Sequence, residues 1–155
     1  MRADLINKSS ASYGSGGKGI RVLSDATTAT LSVDDSGKII VVPDLTATCT
    51  IDLPAEEVNL VYEFIYGGAA ADAQNFVVDS ESDTNYFVGG VTHFDTDAGS
   101  GGDEVVPVYS DGNSNSKLTV VTPDAGTRIL MVCDGVKWYV TGVVVSSTVP
   151  TFADQ

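Results

Sequence analysis

Histidine, serine and acidic side chains are the groups through which this chain could do chemistry, and their spacing limits what that chemistry could be. The one histidine, His93, stands two residues before Asp95 in a chain with fifteen serines. A Ser-His-Asp arrangement could form in space. No Gly-x-Ser-x-Gly elbow presents a serine, however, and hydroxyl-rich loops bring such groups together by coincidence. We expect His93 at a strand end, half exposed, with no catalytic part, and the protein is not expected to be an enzyme. The run Gly14-Ser-Gly-Gly-Lys18-Gly19 has the look of a phosphate loop but fails its pattern. Ser12 occupies the first glycine position, Gly19 stands where Ser or Thr must bind Mg²⁺, and no strand-loop-helix context surrounds it.

Acidic loops raise the question of calcium. Asp95, Asp97, Asp103 and Glu104 flank a Gly-rich stretch, and Asp111, Asn113 and Asn115 alternate like the start of a calcium loop. The second stretch has Ser116 at its sixth position and Thr122 at its twelfth, where Gly and Glu are needed. Asp and Asn are also the residues that turns prefer. The first four acids are the candidates for Ca²⁺, and no metal or other cofactor is expected. Cys49 and Cys133 lie far apart without a CxxC pair, which excludes a zinc cluster. Apolar neighbours at alternate positions (Ile51 and Leu53, Ile129 and Met131) predict two buried free thiols.

The elements that must position these residues are strands. Val occurs 22 times against eight Leu, and Gly, Ser and Thr supply 46 of the 155 residues. Such a balance of β-branched residues and turn formers predicts an all-β fold. Apolar or alternating runs predict strands at 20–24, 29–33, 38–43, 47–53, 59–66, 75–80, 85–92, 104–109, 117–122, 127–134 and 136–145. Asp134-Gly135 marks a tight hairpin. Pro54-Ala-Glu-Glu-Val58 could form one helical turn at most. Adjacent aromatics such as Trp138 and Tyr139 must point to opposite faces, so one of each pair leaves the core. Eleven short strands imply a sandwich, jelly roll or barrel.

Charge divides the chain. Eight Lys and Arg face 21 Asp and Glu, a net charge of −13. Between Lys38 and Lys117 no cation occurs. Phosphate-backbone binding needs clustered cations, so no nucleic-acid partner is expected. No apolar run approaches the ~20 residues of a membrane span or the core of a secretory signal, so no membrane association is expected. Residues 1–19 form a Gly/Ser-rich arm carrying Arg2, Lys8 and Lys18, and residues 20–155 form a single β domain. Arg2, Lys8, Tyr13 and Lys18 are the arm's candidate contacts for an acidic partner.

Three stretches carry a resemblance. They are Leu31-Ser-Val-Asp-Asp-Ser-Gly-Lys-Ile39, Thr50-Ile-Asp-Leu-Pro-Ala-Glu-Glu-Val-Asn-Leu-Val-Tyr-Glu-Phe-Ile65 and Asp134-Gly-Val-Lys-Trp-Tyr-Val-Thr-Gly142. In this order the segment resembles small structural proteins of tailed phages, notably those of marine bacteria, with Asn59 where Gly is usual. The resemblance implies a capsid decoration (cement) protein, a jelly-roll-like β-sandwich with an extended N-terminal arm. Such a protein is commonly a homotrimer. It is made in the host cytoplasm and sits on the outer surface of the virion head, where it clamps neighbouring major capsid subunits. The same motifs occur in phage tail and fibre proteins, so the alternative expectation is a tail or head-fibre module that binds a host receptor.

Overall fold

Alternating apolar residues close into two layers. The computed structural model describes residues 19–97 and 104–155. Among these, the strands are β1 (Ile20–Val22), β2 (Thr28–Thr30), β3 (Ile39–Val42), β4 (Cys49–Asp52), β5 (Val58–Tyr66) and β6 (Phe76–Asp79). They continue with β7 (Phe87–Asp95), β8 (Val105–Tyr109), β9 (Lys117–Val120), β10 (Arg128–Asp134), β11 (Trp138–Ser146) and β12 (Thr151–Ala153). The only helical piece among the described residues is a 3₁₀ turn at Val33–Asp35.

A seven-stranded sheet runs β1-β3-β5-β10-β11-β7-β8, and a five-stranded sheet runs β12-β9-β6-β4-β2. Their inner faces meet in one core. The larger sheet contributes Ile40, Tyr62, Phe64, Met131, Trp138 and Phe87, and the smaller one Ile51, Phe76, Val78 and Leu118. The fold is therefore the expected all-β sandwich.

Its winding departs from a jelly roll. From β1 to β6 the chain alternates between the sheets, so β1, β3 and β5 stack parallel in one sheet and β2, β4 and β6 in the other. Parallel neighbours need a crossover connection, which a hairpin cannot supply. Here each crossover is a strand of the opposite sheet, where many folds use a helix. With β11 also parallel to β7, five ladders are parallel, whereas a jelly roll is built from antiparallel Greek keys. The β10–β11 hairpin then inserts between β5 and β7.

Each of the eleven expected strands coincides with an observed one, with shifted ends. β12 is additional; it is three residues long and offers one inward side chain, Phe152, whose ring meets Phe87 edge-on at 6.4 Å. Strand β2 ends early because Val33-Asp34-Asp35 turns instead. Pro54 to Val58 forms no helical turn, because Val58 already pairs with Asp134 at the start of β5. Both cysteines are buried free thiols, and burial raises their pKa values.

Candidate interaction surface

The catalytic candidates are closed off. β7 runs to Asp95 because it pairs with β11 over nine residues, which sets His93 opposite Val144. His93 is therefore 1% exposed, deep in the sandwich, and not half exposed at a strand end as its sequence context suggested. Its Nε2 lies 3.0 Å from the Ser146 carbonyl and 3.1 Å from Ser146 Oγ. Ser146 Oγ in turn donates to the Thr148 carbonyl. Both side chains are sealed from any substrate, so the pair ties β7 to β11 and to the turn beyond.

The acidic loops satisfy themselves. Asp111 Oδ1 accepts the amides of Asn113, Ser114 and Asn115, and its Oδ2 accepts the Ser114 hydroxyl. These bonds, led by the Ser114 amide, hold its carboxyl well below the usual range. Asp95 Oδ1 accepts the Asp97 amide. Asp103 lies outside the described residues, and Glu104 is exposed beside β8. Among the described residues no group of three or more metal-ligating side chains converges. Arg2, Lys8, Tyr13 and Lys18 also lie outside the described residues.

Residues from the three stretches that carry the resemblance touch one another within the larger sheet. Gly37 N donates to the Val61 carbonyl, Val61 N to Ser36 Oγ, and the Tyr62 hydroxyl to the Ser32 carbonyl at 2.8 Å. The Tyr62 ring meets Trp138 at 5.8 Å, and Trp138 Nε1 reaches Glu56 at 3.4 Å. Burial, then the nearby charge of Asp35, pushes the Tyr62 phenol up to about 12, so it remains a donor. Asn59 has φ 72° where β5 bulges against β10. That left-handed position suits Gly first and Asn next, so the departure from the usual Gly keeps the backbone shape. Asp35 anchors the same region. Its carboxylate takes the Lys38 ammonium at 2.9 Å, the Ser32 amide and hydroxyl, and the Arg21 guanidinium. Arg21 thus serves the β domain. These contacts make parts of the three stretches a structural joint.

What stands open is the outer face of the larger sheet. One cross-strand row carries Ile20, Ile39, Glu63, Leu130, Thr141, Gly90 and Tyr109 across all seven strands. The next carries Val22, Val41, Ile65, Arg128, Val143 and Thr92. Val61, Val132, Tyr139 and Val88 lie on one side of these rows, and Val145, Phe94 and Val105 on the other. Ile20 is 68% exposed and Tyr109 70%. At the centre Glu63 is buried and paired with Arg128, whose guanidinium closes over it. Beside this pair lies a depression of about 300 Å³ lined by Glu63, Arg128, Leu130, Thr141, Gly142 and Val143. One of the adjacent aromatics Trp138 and Tyr139 is expected to leave the core, and it is Tyr139 that lies on this face. The face as a whole was missed, although its signal was present in apolar runs without alternation such as Ile39-Ile-Val-Val42 and Gly142-Val-Val-Val145.

The smaller sheet presents the opposite chemistry. Its outer row is Thr28, Thr50, Val77, Thr119 and Thr151, and the next holds Thr30, Asp52, Asp79 and Lys117. No protein-family model matches the chain, and no curated protein matches it.

Proposed function

We propose that this protein is a structural component of a tailed-phage virion, a decoration protein that binds the outer surface of the head, contacts the major capsid protein and acts as a homotrimer. The observation that carries the assembly role is the open apolar face of the larger sheet on a chain of net charge −13. Large apolar patches on a soluble protein mark interaction sites. The capsid itself enters through the resemblance of the three stretches.

A shell ligand of this kind stabilises by binding the assembled head better than its free subunits. Several contacts per oligomer then add through high local concentration. The acidic body keeps decorated heads apart in solution, and the cations of residues 1–18 attach them to acidic neighbours. The test is sedimentation of purified protein with undecorated heads assembled from the major capsid protein of the same phage. Saturable binding at many copies per head is expected, together with greater resistance of the heads to heat. No binding to heads, with binding to host cells instead, would overturn the reading in favour of a receptor-binding module.

A further inference from the structure

We infer that the outer face of the larger sheet is covered by a second copy of this chain, so that the protein associates with itself through this face and leaves its arm and its threonine-bearing face for other partners. The inference rests on the self-association in the proposed function and on no part of the capsid contact.

The first support is the contrast between the two outer faces. Both belong to strands with the same backbone demands, and threonine satisfies those demands on a solvated face. The smaller sheet follows that rule with Thr28, Thr50, Thr119 and Thr151 in one row. The larger sheet instead places Ile39, Val41, Ile65, Leu130 and Val143 at equivalent outward positions. Strands that are apolar on both sides belong to sheets covered on both sides.

Charge selects the occupant. A chain of net charge −13 repels its own copies wherever acids are uncompensated. Within the rows from Val61 to Phe94 the one acid is Glu63, and it is already paired with Arg128 inside the protomer. The face is therefore neutral, so a second copy can be seated on it without opposing uncompensated acids. Size agrees. Seven strands and four rows span roughly 29 Å by 20 Å, on the order of 600 Å² per copy. Two such faces reach about 1,200 Å², the lower bound of a stable interface. The chain's own residues 1–18 are a poorer match: they are mostly Gly, Ser, Ala and polar residues, with Leu5, Ile6 and Tyr13 as the main apolar side chains.

The experiment uses the full chain and substitutions at Thr141, an exposed residue at the centre of the face, where a new side chain leaves the core untouched. Light scattering after size exclusion should give two or more chains of 16.1 kDa for the native protein. Thr141→Arg should give one chain with the thermal transition of a folded protein, while Thr119→Glu on the smaller sheet should keep the native mass. Because Cys49 and Cys133 are buried, Thr141→Cys supplies a single reactive thiol. Its maleimide labelling should be at least tenfold slower in the oligomer than after dilution to the monomer. The native mass should also survive a rise to ~0.5 M salt, since apolar contacts are not screened. A native monomer, an oligomer untouched by Thr141→Arg, or an introduced thiol in Thr141→Cys that reacts equally fast at all concentrations would each overturn the inference. Head binding, measured separately, can succeed or fail without altering any of these outcomes.

Discussion

Asp35 shows how single residues hold this structure. It is an acid in a chain overloaded with acids, yet it is buried and collects Lys38, Arg21 and Ser32. Burial alone would raise its pKa; the bonds from Lys38 and from the Ser32 amide and hydroxyl, with Arg21, overcome that and hold it at about 2. A folded-state pKa below the unfolded one means stability that is full above pH 4 and lost as pH falls towards 2. The shift corresponds to about 2 kcal/mol at neutral pH. Urea unfolding between pH 7 and pH 2 should show that loss in the native chain, and Asp35→Asn should be less stable at pH 7 and lack that share of the pH dependence. Identical pH profiles would contradict the role given to this carboxylate. Asn59 offers a second test. With φ 72°, Asn59→Gly should be nearly neutral, whereas Asn59→Val should cost about 1–3 kcal/mol in the same assay. Equal stability of the two variants would argue against a strained bulge. Roles of this kind are only partly legible in sequence: Asn59 could be flagged as an odd residue at a glycine position, but the burial of His93 depends on how far β7 runs beside β11.

At the scale of elements, strand positions were legible and their pairing was not. Period-two patterns and Asp/Gly turns report each strand locally, which is why all eleven expected strands exist. Pairing depends on partners distant in sequence. The Asp134-Gly135 hairpin is local and formed as expected, with Asp134 Oδ1 accepting the Val136 and Lys137 amides. The parallel stacking of β1, β3 and β5 carries no local mark, since each pair is separated by a strand of the other sheet. Gly135 joins the two levels. It sits at φ 94°, and an added Cβ would lie 2.8 Å from Val58 Cγ2 on the neighbouring β5. Gly135→Ala should therefore cost about 1–3 kcal/mol of stability. A loss below ~0.5 kcal/mol, the range of an ordinary surface change, would show that the hairpin and β5 are not coupled there.

The whole molecule is a two-faced sandwich. The larger sheet is apolar inside and out, the smaller one is apolar inside and threonine-rich outside, and acids populate the loops. Net charge and its division along the chain were legible in the sequence, but the ion pairs inside the β domain were not. Arg21, Lys38, Lys117 and Arg128 are all engaged by acids within the β domain. Lys137 lies at the β10–β11 hairpin, and the remaining cations, Arg2, Lys8 and Lys18, lie outside the described residues. The Gly19 carbonyl accepts the Ile39 amide, so residue 19 belongs with the β domain and a truncation should stop at residue 18. Deleting residues 1–18 should leave the melting temperature within a few degrees of native and weaken attachment to heads at least tenfold, with the remaining attachment less sensitive to salt. Unchanged attachment would show that the shell is gripped elsewhere.

The most direct test of the central claim is a cryo-electron microscopy reconstruction of the intact phage particle. A decoration protein of the proposed kind should be present in many copies on the outside of the head, grouped around three-fold or quasi-three-fold positions, with the larger sheets turned towards one another. A few copies confined to one vertex or to the tail would contradict it.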